Sequence, residues 1–271
     1  MRRFILIVIA CAGCAGPGPR DLSNATLSSS EVFSTENMHA KTEIDPAPPV
    51  LDMLAAPDRS PADRALDAKR QAAEVMTFLA APVGGRVAEL ACGGGYWTEL
   101  VARAVGPSGV VYGENSPTML LRQRGILATW NERLARPIDA KVVRLDRELG
   151  DPLPHDVRGL DLVYLALDYH QLAAHGVDRG AMNRAVLRAL QSGGRYVVMD
   201  ETPVEGPFVA NLHELHSEES RNARREIEAA GFAFASEGRF FHDSSDPREW
   251  DVSPPPPTQK RDRFILTFTK P

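Results

Sequence analysis

The stretch Val87-Ala88-Glu89-Leu90-Ala91-Cys92-Gly93-Gly94-Gly95-Tyr96-Trp97-Thr98 decides the fold. An apolar strand runs into an acid and three glycines, and a helix opens directly behind them. Glycine in such a loop takes turn dihedrals closed to other residues and lets a ligand approach the backbone. The first turn of the following helix offers N–H groups that no intrahelical carbonyl satisfies. This is the pattern of a loop that holds a nucleotide cofactor. Taken alone, Gly93 to Gly95 is equally well a tight strand-to-helix turn, so the neighbouring segments decide.

A dinucleotide-binding loop reads G-x-G-x-x-G. Gly93 and Gly95 supply its first two glycines, but the third position falls on Thr98. That residue and the acid at Glu89 count against a nicotinamide-dependent dehydrogenase. The stretch instead resembles motif I of class I S-adenosylmethionine (SAM) methyltransferases, acid-x-G-x-G-x-G, with Glu89 as the acid, Ala91 in place of the first glycine, and Gly93 and Gly95 intact. SAM carries no pyrophosphate. Its methionine end bears an ammonium group, which a carboxylate beside the loop can hold by a charge-assisted hydrogen bond. The resemblance makes Glu89, Ala91, Gly93, Gly95 and Tyr96 cofactor-binding candidates.

Gly106-Pro107-Ser108-Gly109 closes the helix that starts at Tyr96, and Val110-Val111-Tyr112-Gly113-Glu114-Asn115 reads as a second strand ending in polar residues. Its acid lies about twenty residues past the glycines, where this kind of fold places the group that binds ribose hydroxyls. Glu114 and Asn115 are both candidates. A third strand over 140–145 ends at Asp146, expected to face the exocyclic amine of adenine, with Asp151 in the next turn competing for that role.

The rest of the chain keeps the strand–helix rhythm of a parallel sheet. A helix is expected over 60–79, capped by Ser60 with Pro61 at its first position and burying Leu66, Val75, Phe78 and Leu79. Another is expected over 117–134. Leu160 to Leu167 is a near-continuous apolar run, as in a strand covered on both faces, followed by a helix from Arg179 and a strand Tyr196 to Asp200. The C-terminal part changes character. A helix near 217–230, a strand near Phe232 to Phe240, a proline-rich excursion at 254–257 and a last strand Arg263 to Thr269 suit an antiparallel hairpin at a sheet edge. The resemblance thus extends over 60–271. It implies an α/β fold: the Rossmann-like seven-stranded class I methyltransferase sheet, mostly parallel with an antiparallel C-terminal strand and helices on both faces. More narrowly, residues 89–100, the Tyr169-His170 pair and Asp262-Arg263-Phe264 are similar to a family of predicted bacterial methyltransferases often made with signal peptides. That family shows Asn before the Tyr-His pair, where this chain has Asp168.

In open α/β sheets ligands sit outside the carboxyl ends of the strands, which makes Asp168, Tyr169 and His170 the candidates for chemistry. Methyl transfer is an in-line displacement, and alignment supplies much of its rate. His170, titrating near neutrality, could accept a proton from the acceptor, while Asp168 orients it. The competing reading makes Tyr169 and His170 structural. Asp200-Glu201 is ambiguous in the same way, and His213 and His216 read as a loop or helix start. Cys92 reads as a small filler of the loop. The seven histidines fall at scattered spacings, so no metal site is expected.

Met1-Arg2-Arg3 followed by Phe4 to Ala10 and Cys11-Ala12-Gly13-Cys14 is a signal-peptide pattern, with an apolar run far shorter than a membrane span. Ala12-Gly13-Cys14 resembles the end of a bacterial lipoprotein box. Lipidation of Cys14, lipidation of Cys11 and ordinary cleavage near Ala15 stay open. Residues 1–14 are therefore expected to be a leader, 15–59 a flexible low-complexity tether, and 60–271 the catalytic domain, exported to the periplasm or anchored to a membrane. A net charge of −5 gives no electrostatic footprint for nucleic acid. The resemblance implies methyl transfer from SAM to a small-molecule or protein acceptor. The alternative is a non-catalytic module of an exported lipoprotein that binds a SAM-like ligand, because SAM is made in the cytoplasm.

Overall fold

The computed structural model describes residues 48–139, 141–166, 169, 172–173, 175–201, 212–241 and 263–271, all in the second of the chain's two units, His39–Pro271. Strands β1 (Arg86–Leu90), β2 (Val110–Asn115), β3 (Val142–Asp146), β4 (Leu160–Ala166), β5 (Leu190–Glu201), β6 (Ala233–Gly238) and β7 (Arg263–Thr269) form one sheet in the order 3-2-1-4-5-7-6. β1 pairs parallel with β2 through Val87 opposite Val111, and with β4 through Val87 opposite Leu162. β7 runs antiparallel to both β5 and β6, so it alone opposes the common direction. This is the class I methyltransferase sheet expected from the sequence. Its order reverses between β1 and β4, and crevices for ligands open beyond strand ends at such a switch point.

The apolar runs follow from burial on both faces. Val87, Val111, Leu162, Tyr164, Val197 and Met199 point to the side covered by helices α3 (Ala72–Leu79) and α4 (Tyr96–Val105). Their chain neighbours Ala88, Leu90, Val163, Leu165, Tyr196 and Val198 point to the side of α7 (Arg179–Ala189) and α8 (Leu212–Ala229). Successive residues of a strand alternate faces, so a sheet with two dry faces needs apolar residues at nearly every position. Each such side chain contributes about 1.5–3 kcal/mol through burial.

Three boundaries differ from expectation. The segment 60–79 is two helices, α2 (Pro61–Arg70) and α3, because Gln71 takes φ 50°. Its side chain donates to Phe240 O at 3.1 Å and accepts from Arg263 at 2.7 Å, so tertiary bonds hold the break. The segment 117–134 divides at Gln123 into α5 (Pro117–Arg122) and α6 (Arg124–Leu134). The domain also begins before residue 60, which corrects the expected tether. Helix α1 (Pro48–Leu54) packs Val50, Met53 and Leu54 against the core. Arg59 is 2% exposed, donating to Leu54 O at 2.8 Å and to both Asp67 oxygens at 2.6 and 2.8 Å. The leader, the tether up to residue 47 and the prolines at 254–257 lie outside the described residues. No described helix is long and apolar enough to cross a membrane.

Candidate functional site

The loop between β1 and α4 has three residues in the left-handed region: Ala91 at φ 51°, Gly93 at 57° and Gly95 at 78°. The two glycines serve different ends. A Cβ on Gly95 would lie 2.5 Å from the Trp130 ring and 2.7 Å from Arg133 Cδ, so this glycine lets α6 press against the loop. A Cβ on Gly93 would meet nothing within 4 Å, so Gly93 faces open space. Ala91 carries the strain of a position where motif I has glycine.

The end of β2 fastens this loop. Glu114 accepts the Ala91 N–H at 2.9 Å through Oε2. Asn115 accepts from Gly93 N at 2.8 Å and donates to Gly93 O and to Cys92 Sγ, each at 3.0 Å. Asn115 is therefore occupied in shaping the loop. Glu114 Oε1 is buried and has no hydrogen-bond partner in the structure. Burial pushes the Glu114 carboxyl up to about 8, outweighing the Ala91 bond, and the charges of Glu148 and Asp146 push the same way.

Glu89 is also buried. Thr98 and Tyr164 both donate to its Oε2, while Oε1 takes no hydrogen bond among the described residues. Burial pushes this carboxyl up to about 7 despite those bonds. Cys92 lies between the two acids. Burial, then the charges of Glu89 and Glu114, raise its thiol well above the ordinary value, which leaves it a filler and not a nucleophile.

The remaining candidates separate. Tyr96 is buried on the first turn of α4 against Trp97 and donates its hydroxyl to Asp67. Asp146 is turned along β3 to Arg144 at 2.8 Å, and Asp151 is bound to Arg147 and Arg188 at 2.6 and 3.1 Å. Tyr169 is a core residue: its hydroxyl donates to Glu226 and accepts from Asn183, both at 3.0 Å, and Arg179 lies over its ring. Those bonds turn it towards α7 and α8, as the structural reading of this residue expects. Asp168 and His170 lie outside the described residues, as do the side chains of Glu201, His213 and His216.

Sequence reasoning missed the clamp behind the loop. Arg133 of α6 donates to Gly94 O at 2.7 Å, forks onto Asp63 at 2.9 and 3.0 Å, and binds Glu99. Glu99 is 1% exposed and also takes bonds from Arg103 and Arg136. The available signal was Gly113 inside a β-prone strand, since strand glycines mark close backbone approach. A Cβ there would lie 2.7 Å from the Trp130 ring. Glu148 was missed too; it accepts from Ser116 and Thr118 hydroxyls at 2.6 and 2.8 Å and fastens the start of α5.

No protein-family model and no curated protein matches this chain. Solved structures match it in fold. A SAM-dependent methyltransferase from Aquifex aeolicus is 15% identical over 84% of this chain and 100% of its own, with a TM-score of 0.53. A fibrillarin pre-rRNA processing protein from Methanococcus jannaschii is 14% identical over 75% and 76%, with a TM-score of 0.51. An S-adenosylmethionine-dependent methyltransferase from Mesorhizobium loti is 18% identical over 75% and 99%, with a TM-score of 0.50. The fold is that of the class I methyltransferases.

Proposed function

We propose that this chain binds S-adenosylmethionine and transfers its methyl group to a small-molecule or protein acceptor. One observation carries the reading. At the carboxyl edge of the sheet, beside the open face of Gly93, the buried Glu114 has one oxygen committed to the loop and the other without a partner. An unpaired buried carboxylate oxygen is costly unless a donor arrives, and two vicinal ribose hydroxyls are such donors. We assign the Glu89 carboxyl to the methionine ammonium by its place in the loop motif. When bound, the cofactor supplies a methyl group on a positively charged sulfur. The chain's own part is to hold the ribose through Glu114, the ammonium through Glu89 and the loop through Asn115 and Arg133. Asp168 and His170 follow β4 directly in sequence, and we assign them to the acceptor by chain position alone. The net charge of −5 speaks against an RNA acceptor. Export behind a lipoprotein-type leader belongs to the same proposal and rests on the sequence.

Calorimetric titration with SAM, S-adenosylhomocysteine and NAD tests the reading. Binding of the two adenosyl compounds and not NAD supports it; binding of NAD alone, or of none, refutes it. Methyl transfer from labelled SAM to an extract separates the enzyme from the non-catalytic module.

A further inference from the structure

Strand β3 stands at one end of the sheet, and no described strand pairs with its outer side. The backbone groups it presents there can be assigned. Val111 N–H donates to Lys141 O at 3.3 Å, so Lys141 points at β2. Alternate residues of a strand aim their N–H and C=O groups to opposite sides, so Val143 and Leu145 point at β2 as well. Val142, Arg144 and Asp146 therefore present theirs to the outside, and such an edge is a template for another strand.

The side chains limit what can pair with it. Arg144 and Asp146 are exposed on the α6 face, where Arg144 donates to Asp146 at 2.8 and 3.0 Å and to Asn131 at 2.7 Å. Charges on an edge strand ordinarily repel other strands. These two, two positions apart and opposite in sign, complement a copy of themselves. A second copy meeting β3 about a two-fold axis matches outward residues with outward residues, and the position of the axis decides the partners. An axis at Arg144 or at Asp146 sets like charges opposite each other. An axis at Val143 sets Arg144 opposite Val142 and leaves Asp146 beyond the start of the other strand. An axis at Leu145 sets Arg144 opposite Asp146 of the second copy, twice, and opposite charges directly across a ladder attract. In that register the outward N–H and C=O groups of Arg144 and Asp146 bond across the axis. On the other face Leu145 meets its own copy, diagonal to Val143, which is 41% exposed.

We propose that the chain forms a two-fold dimer through β3, with the axis at Leu145 and the two sheets joined edge to edge. The groove between α5 and α6, about 450 Å³, borders the same edge through Asn131 and adds the apolar surface of Leu121 and Leu127 to the contact. Because each copy contributes the same patch, the pairing uses up both edges and stops at two. It does not depend on the cofactor reading.

Light scattering on the full chain after size exclusion, over a range of concentrations, tests the dimer. Arg144→Asp and Asp146→Arg each turn two attractive cross-strand pairs into repulsive ones and should weaken dimerisation at least about tenfold. The two substitutions together restore the alternation of charge and should return the dimer to within about threefold of wild type. Hydrogen exchange gives a second reading on the unaltered chain: the Arg144 and Asp146 amides slow as concentration rises, while the Val143 amide, already turned to β2, does not. A wild type that is monomeric at every concentration overturns the proposal, as does a dimer indifferent to the single reversals. A double variant with the wild-type thermal midpoint that stays monomeric overturns the register. Exchange at Arg144 and Asp146 that ignores concentration overturns the interface without recourse to any variant.

Discussion

Replacing Glu114 by glutamine separates the cost of burying its carboxyl from the use the fold makes of it. The carboxyl moves from an ordinary value of 4.5 to about 8 on folding, mainly through burial. Between those values the folded chain holds a proton that the unfolded chain has lost, so stability is highest below pH 4.5 and falls as pH rises through 8. At 1.36 kcal/mol per pH unit the whole interval is worth on the order of 5 kcal/mol, and about 3 kcal/mol of it is already lost at pH 7. Glutamine has the same shape, can still accept the Ala91 N–H and does not ionise. Urea denaturation of both proteins from pH 5 to 8.5 should give similar stabilities at the acid end and a glutamine variant that is progressively more stable above it. Glu89, pushed up to about 7, gives its own slope in both proteins and cancels in the difference. Affinity for S-adenosylhomocysteine should run the other way. The variant loses a charge-assisted bond to the ribose and weakens by roughly 10- to 100-fold, and the wild type tightens as pH rises towards 8. A stability difference that is the same at pH 5 and pH 8.5 would refute the argument, because the carboxyl would then be ionised and solvated throughout.

Ala91→Gly removes a methyl group from a residue at φ 51° and should stabilise the fold by about 1 kcal/mol, read as a higher urea midpoint; a lower midpoint contradicts the strain assigned to this turn. Gly95→Ala drives a Cβ to 2.5 Å from the Trp130 ring and should cost about 3 kcal/mol or more, with a shift in tryptophan emission. Gly93→Ala, two residues earlier and open beyond its Cβ, should cost only about 1 kcal/mol in stability while weakening S-adenosylhomocysteine; equal stability losses at the two positions would show that the glycines are not distinguished by their surroundings. Arg133→Met leaves Asp63 unpaired and frees Gly94 O, and should cost about 3–5 kcal/mol by chemical denaturation, with little dependence on added salt because the cluster is buried.

The sequence determined the elements whose signals are local. Strand β2, helix α4 and strand β7 have the bounds read from the residues. Apolar runs, a Gly-Pro-Ser-Gly turn and a glycine loop act within a few residues of themselves. The acid at Glu114 was legible by its distance from the glycines. Tertiary structure alone decided which groups remain available to a ligand. Asn115 is consumed in holding the loop and the Tyr96 hydroxyl is bound to Asp67, while Glu114 keeps one buried oxygen without a partner. The breaks at Gln71 and Gln123, the packing of α1 and the Arg133 clamp were likewise hidden in the chain. The break at Gln71 depends on a partner 192 residues away, Arg263. A residue type states what a side chain can bond to. Only the packed fold settles which of its bonds are already taken, because each donor and carboxylate oxygen has few places to fill and burial makes every unfilled one costly.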